Sequence, residues 1–345
     1  MFDYHGIDYS SIVDLGYTMA TFENHSMGQS LERYIEMKLQ DIIFSDSISE
    51  IRVVGNYDRS KGISVKEKND KTFNYKRPTV FVNGDVATIN CYPGMDYVYH
   101  YASLVKTYLA ILGIKKKITA QFPTVQEIEN QLMHSNINEI PKCKTVILGY
   151  VQGFEYLSNT ENWLGTGDFL WKRIADDKIL VGCKHSYWGD IAGYIVAALA
   201  RKGVKRVIYV GKLGTLNKNY APNETIATGN KSIFIDGSFV EWNNVFEDFN
   251  YAAIKNGIHY TLPSIIQETK EWVLHNRDEI AFVDPEIGHM AKSAIQNGID
   301  YSYLHIISDN LSKKFSEDLS NERKEDVLIK RKKLIKTIGN CLMDI

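Results

Sequence analysis

The chain has 345 residues, 44% of them hydrophobic, and a formal net charge of −2. That is enough for a large core and for two or three domains, and the near-neutral charge argues against a general nucleic-acid binder or a polybasic membrane binder. No window approaches the ~18 apolar residues of a membrane span. The four cysteines, Cys91, Cys143, Cys183 and Cys341, are widely spaced with no Cys-x-x-Cys pair, which reads as reduced thiols in a cytoplasm. The start, Met1-Phe2-Asp3-Tyr4-His5, lacks the basic and apolar regions of a signal peptide.

Residues 1–140 show no repeated strand–helix rhythm and read as an α+β domain of unassigned role. Ser26 to Phe44 has helical periodicity, with Ser26 or Ser30 as N-cap candidates. Ile51 to Val54 reads as a short strand, and the polar stretch Asn56 to Lys76 as a long hairpin or loop. Thr79 to Ile89 predicts two strands around an Asn-Gly turn. Asp96 to Gly113 predicts a helix with a tyrosine-rich face, and Val125 to His134 another, with Pro123 near its start.

From Lys144 the pattern becomes regular. Strands are expected at Thr145–Leu148, Lys178–Val181 and Arg206–Val210, with a helix from Asp190 to Lys202 stopped by Gly203. Short strands follow at Thr225–Thr228 and Ser232–Ile235, then a helix near Val245 to Asn256 and a strand at His259–Leu262. A helix from Gln267 to His275 precedes the strand Phe282-Val283-Asp284. Gly288 to Gly298 is helical, Leu304 to Ser308 a strand, and about Asn321 to Leu342 a charged helix. Its basic run Lys330-Arg331-Lys332-Lys333 is a solvated face opposite Leu328, Ile329, Leu334, Ile335 and Ile338. Alternating strands and helices predict an α/β domain over 144–345 with a mixed, mostly parallel central sheet between helical layers.

Chemistry concentrates near the C-terminal end. Glu286 and Asp309 each follow an apolar strand-like run, with one helix between them. Acids at strand C-terminal ends of an open α/β sheet would face one crevice, where one carboxylate can hold a sugar and the other move a proton. Each also has a structural explanation: Glu286 as a first-turn helix glutamate, Ser308-Asp309 as capping residues. Val210-Gly211-Lys212-Leu213-Gly214 reads as a glycine-bearing turn after a buried strand, open to close approach of a ligand. It is neither a Walker loop nor Gly-x-Gly-x-x-Gly. Gly182-Cys183-Lys184-His185-Ser186 before a helix is either an ordinary βα loop or an anion site at the helix N-terminus. The nine histidines form no metal-ligand spacing, so no metal and no cofactor is expected.

Taken in order, these motifs resemble the purine nucleoside phosphorylase and nucleosidase superfamily over roughly residues 144–345. Leu180-Val181-Gly182 with the helix to Gly203 looks like that family's second strand and helix. Gly203 to Gly214 looks like its strand ending in a Gly-x-x-Gly phosphate-side loop. Phe282-Val283-Asp284-Pro285-Glu286 is similar to its Val-Asp/Glu-Met-Glu motif, and Ile306-Ile307-Ser308-Asp309-Asn310 to its Ser-Asp motif. The resemblance implies a three-layer nucleoside-phosphorylase-like domain and a homo-oligomer. It implies that Glu286 binds the ribose 2′- and 3′-hydroxyls, as a two-acceptor carboxylate can. It implies that Asp309 hydrogen-bonds or protonates N7 of a purine, as acid assistance to a poor leaving group requires.

Two positions depart from the family. Many phosphorylases carry an arginine where this chain has Tyr209, and a phenol offers one neutral donor where arginine offers a charged fork. The methionine before the glutamate is Pro285. Water is therefore favoured as nucleophile, with Glu155 as a candidate to position it and Lys212 or Lys184 as the cations that would serve phosphate instead. Phe239 and Trp242 are the candidates to stack on the base. The expected partner is a nucleoside or nucleotide, turned over by hydrolysis, by phosphorolysis, or bound without turnover by a degenerate sensor.

Overall fold

The computed structural model describes residues 20–56, 58–68, 70–249, 251–317 and 324–345. The signal-peptide reading of residues 1–5 and the first residues of the expected last helix, 321–323, lie outside them. The chain divides into two compact units. One comprises Met1–Gln131, His185–Ile191 and Pro263–Trp272. The other comprises Leu132–Lys184, Ala192–Leu262 and Val273–Ile345.

The first unit holds helix α1 (Ser30–Glu36) and a four-stranded sheet. Its strands are β1 (Glu50–Val54), β2 (Thr79–Asn83), β3 (Val86–Asn90) and β4 (Lys117–Gln121), in the order β2-β3-β1-β4. β2 and β3 form the expected hairpin, whereas β1 runs parallel to both β3 and β4. Helix α2 (Met95–Leu112) is the crossover between β3 and β4, which two parallel neighbours of β1 require. Its tyrosines Tyr97, Tyr99 and Tyr101 are buried. Asp190 caps it, accepting from the N–H groups of Met95 and Asp96, and Asp96 accepts in return from the N–H of Asp190.

The single helix expected over Ser26–Phe44 is broken. α1 ends at Glu36, and Asp41–Phe44 forms a separate 3₁₀ turn. The apolar spacing survives as burial, since Leu31, Ile35, Leu39 and Ile43 are all within the core. Among the described residues of 56–76 there is no strand, only isolated bridges from Ile63 to Val80 and from Lys76 to His185.

Helix α3 (Val125–His134) leads to the second unit and its eleven-stranded sheet. The strands are β5 (Thr145–Gly149), β6 (Phe169–Ala175), β7 (Lys178–Cys183), β8 (Arg206–Thr215), β9 (Ile226–Thr228), β10 (Lys231–Phe234), β11 (Phe239–Glu241), β12 (Ile254–Asn256), β13 (His259–Thr261), β14 (Phe282–Asp284) and β15 (Asp300–Asn310). Helices α4 (Ile191–Arg201), α5 (Lys270–Asn276), α6 (Ile287–Gln296) and α7 (Glu325–Met343) complete the order. The main path is β11-β10-β13-β14-β8-β15-β9-β12, with β5 joining β8 to β7 and β6 pairing with β7. The pairings β5–β7, β5–β8, β8–β15, β13–β14, β10–β13 and β9–β12 are parallel. The sheet is thus mixed and mostly parallel. Its middle strands are apolar runs: Val146, Ile147 and Leu148 of β5 and Val207 and Ile208 of β8 are fully buried, as strands covered on both faces must be.

Among the described residues of 245–256 the expected helix does not form. Asn244 Oδ1 accepts from the N–H of Phe246, Ser302 Oγ accepts from the N–H of Val245, and the segment ends in β12. Side-chain acceptors here take the first backbone donors a helix would need. The helix expected over Gln267–His275 is a 3₁₀ turn, Ile265–Gln267, followed by α5.

Candidate active site

β8 is the strand around which the candidate residues gather. It does not turn at Gly211 but continues to Thr215, paired along its length with β15. The expected glycine-bearing turn is therefore a strand, held straight by ladder partners such as Gly211↔His305 and Lys212↔Ile306. The glycines serve packing. A Cβ on Gly211 would stand 2.7 Å from Nε2 of His305. A Cβ on Gly214 would stand 2.8 Å from Leu311 Cδ1 and 3.3 Å from Asp309 Oδ2.

The two acids reach this strand from opposite sides. β14 pairs antiparallel with the end of β8, Val283 facing Gly214, and the chain then turns to Glu286. β15 pairs on the other side, with Asp309 also facing Gly214 after a register shift at Ser308. β14 thus runs against β8 and β15, so the acids do not share the C-terminal ends of co-directional strands. The shift is a β-bulge, a device that re-aims side chains beside functional sites. Ser308 Oγ donates to Leu213 O at 3.1 Å and to Asp309 Oδ1 at 2.8 Å. Both carboxylates are buried: Glu286 is 7% and Asp309 9% exposed.

Tyr209 lies in the same strand, buried, and its hydroxyl donates to Glu286 Oε2 at 3.4 Å. Its ring meets His305 edge-on at 4.5 Å between centroids. The phenol is thereby turned onto the acid.

The main chain at Glu286 is fixed from beneath. Asp284 Oδ1 accepts from the N–H groups of Glu286 and Ile287, each at 2.9 Å. Thr261 Oγ1 accepts from the N–H of Gly288 at 3.0 Å. His259 Nε2 lies 3.1 Å from Asp284 Oδ1, and His305 Nε2 lies 3.7 Å from Oδ2. Burial acts to raise the Asp284 carboxyl, but the two histidines and the N–H of Ile287 outweigh it and hold it below the usual carboxylate range. Burial holds His305 down to about 4, against the pull of Asp284, so that ring is neutral near pH 7. Sequence reasoning missed Asp284, His259 and His305 as neighbours of the acids. The signal available was a buried-type strand carrying one isolated polar residue, as in Phe282-Val283-Asp284.

The remaining candidates lie elsewhere in the unit. β7 ends at Cys183 and α4 begins only at Ile191, so half-buried Lys184 does not stand at a helix N-terminus. Lys212 is half-buried within β8. Glu155 receives a contact from the buried Lys172 Nζ at 3.4 Å. Phe239 sits on β11 at the outer end of the sheet, four strands from β8, 60% exposed beneath Lys231. Trp242 is buried edge-on against Tyr301. Among the described residues no group of three or more His, Cys, Asp or Glu is placed to hold a metal ion, and no helix is long and apolar enough to cross a membrane.

No protein-family model matches the chain. Among curated proteins, oxidoreductase cns1 of Cordyceps militaris is 22% identical over 261 residues. The match covers 65% of this chain and 32% of that protein, so the chain spans about a third of the relative's length. Similar solved structures include a Helicobacter pylori 5′-methylthioadenosine nucleosidase mutant with 5′-methylthioadenosine in its active site (15% identity, 58% of this chain, 99% of that chain, TM-score 0.45). They also include the Neisseria meningitidis 5′-methylthioadenosine/S-adenosylhomocysteine nucleosidase with methylthio-immucillin-A (17%, 59%, 100%, 0.46). A futalosine hydrolase mutant of Helicobacter pylori is a third (16%, 59%, 97%, 0.45). These structures are members of the nucleoside phosphorylase and nucleosidase superfamily.

Proposed function

We propose that the second unit cleaves the N-glycosidic bond of a purine nucleoside or nucleotide by hydrolysis. Asp309 acts as general acid to the base and Glu286 holds the ribose. The observation that carries this reading is that two buried acids flank the strand β8: Glu286, which accepts from Tyr209 and follows Val283 by three residues, and Asp309, with Val283 and Asp309 both facing Gly214. A carboxylate pair with distinct partners can divide the work of acid and anchor. Glu286 accepts from Tyr209 at one oxygen, and the two oxygens of a carboxylate match the two hydroxyls of a cis-diol. Asp309, fixed by the bulge and by Ser308, is set to donate to a leaving base.

The arrangement also favours water over phosphate. A phosphate dianion would need a cationic fork, and at the relevant position the chain offers a phenol bonded to Glu286. The N–H groups of Glu286, Ile287 and Gly288, where α6 begins, are taken by Asp284 and Thr261 and are not offered to an anion.

The test is incubation with purine nucleosides and their 5′-monophosphates, with and without millimolar phosphate, following free base and sugar by chromatography. Free ribose from the nucleosides, or ribose 5-phosphate from the monophosphates, at a rate indifferent to added phosphate is expected. Ribose 1-phosphate at a rate proportional to phosphate would make the chain a phosphorylase. Tight nucleoside binding without release of base would make it a sensor.

A further inference from the structure

Beneath Glu286 runs a buried polar chain that the reaction above does not use. Ser232 on β10 places Oγ 2.9 Å from His259 Nδ1 and 2.9 Å from Thr261 Oγ1. Ser232 and His259 are completely buried, and Thr261 is nearly so. His259 then faces Asp284, which takes the N–H groups of Glu286 and Ile287. Thr261 takes the next N–H, that of Gly288.

One assignment of protons fits the Ser232–His259, Ser232–Thr261 and Thr261–Gly288 hydrogen bonds together. His259 carries its proton on Nε2, facing the Asp284 carboxylate, because a bare nitrogen lone pair there would repel it. Nδ1 is then the acceptor of the Ser232 hydroxyl, and Ser232 Oγ accepts from Thr261, whose oxygen accepts from Gly288. All donors run one way around a loop of side chains. The loop begins and ends on three consecutive backbone N–H groups, those of Glu286, Ile287 and Gly288.

The arrangement has the membership of a Ser–His–Asp triad, but Ser232 has no access to solvent and its oxygen is engaged by two neighbours. It cannot attack a substrate. What the chain controls is where the Glu286 main chain sits, and the carboxylate above it needs placement to within about half an ångström to engage a diol.

Resting on the N-glycosidic reading, we infer that Ser232, His259, Thr261 and Asp284 are positioning residues for Glu286, and that they set the enzyme's preference for a ribose bearing both hydroxyls over sugars that lack them. The preference arises because Glu286 contributes to binding only when a cis-diol is present. Misplacing it therefore penalises the ribonucleoside alone.

The experiment compares adenosine and guanosine with their 2′,3′-dideoxy counterparts in the wild type and in Asp284→Asn, His259→Gln and Ser232→Ala. The readout is the ratio of kcat/KM for the ribonucleoside to that for the dideoxynucleoside. Asp284→Asn and His259→Gln are expected to lower the ratio about tenfold, through the ribonucleoside, while the dideoxynucleoside changes less than about threefold. Ser232→Ala, the variant with the smallest change in volume, should lower the ratio about threefold. If the first two do not fold, Ser232→Ala decides alone. Parallel loss on both substrates, or an unchanged ratio in a folded variant, would overturn the positioning role and leave the N-glycosidic reading standing. A wild type that releases base from none of the purine nucleosides and 5′-monophosphates would overturn that reading and this inference with it.

Discussion

Asp309 and Glu286 differ in what holds them, and the difference predicts different failures. Asp309 is braced by its neighbour Ser308 on a bulge. Asp309→Asn keeps the size and removes the proton, so turnover should fall by roughly 10²–10⁴ while the melting temperature stays within a few degrees. Near-normal kcat in Asp309→Asn would end its assignment as the acid. Glu286→Gln turns one acceptor into a donor. Its cost should appear first in KM for ribonucleosides, measured by steady-state kinetics. Tyr209→Phe removes only the hydroxyl that donates to Glu286 at 3.4 Å. A contact of that length is worth about 0.5–1.5 kcal/mol or less, so severalfold loss in kcat/KM is expected rather than collapse.

At the scale of elements, β8 and β15 pack as tightly as their glycines permit. Gly211→Ala would push a methyl against Nε2 of His305, on a ring that is completely buried. Overpacking of this kind costs roughly 1–3 kcal/mol. Thermal melting should show the loss, and Gly211→Ala with His305→Ala should lose less than the two changes summed. The same strand shows what was legible in the sequence. Arg206–Val210 announced itself by an unbroken apolar run, and both acids were visible because each ended such a run. Gly211 and Gly214 were misread as a turn because glycine signals close approach without saying to what. Here the atoms that a Cβ would meet belong to a histidine ring, to Leu311 and to the bulge of β15. The direction of β14 was also hidden. Strand polarity depends on which distant segment offers the free ladder edge, and local pattern does not encode it. The Ser232–His259–Asp284 chain joins three strands distant in sequence, so no spacing could have revealed it.

Over the whole molecule, buried histidines make acid the natural denaturant. Burial lowers His25, in the first unit, to about 4 despite its bond to Ile265 O, and His305, in the second, to about 4. Unfolding would release each ring to an ordinary value near 6.5. Between those values the unfolded chain binds more protons, so stability rises with pH there and falls as pH drops from about 6.5 toward 4. Each ring could contribute at most about 3 kcal/mol to the loss. Asp284, held below its usual range, adds to it at lower pH as its carboxylate is protonated. Melting temperatures from pH 8 to pH 4 should therefore be level at first and then decline below about pH 6.5. In His305→Gln the decline should be shallower; an identical slope would show that His305 does not carry its share.

The first unit is not continuous in sequence. His100 stacks on Trp188 and pairs with Ser264 at 2.9 Å, Tyr92 stacks on His185, and Asp190 caps α2. A nascent chain that has just delivered Gln131 has therefore made most of this unit but not the residues that close it. It must wait for about 140 further residues, roughly 7–30 s at the usual pace of synthesis. Through that interval the helix face bearing His100 lacks its ring partner, while the strands of the second unit emerge beside it. The early part of the chain should accordingly be a client of holding chaperones on the ribosome. Synthesis arrested after residue 140 should yield a protease-sensitive product, and synthesis arrested beyond residue 272, with enough extra length to clear the exit tunnel, a resistant first unit.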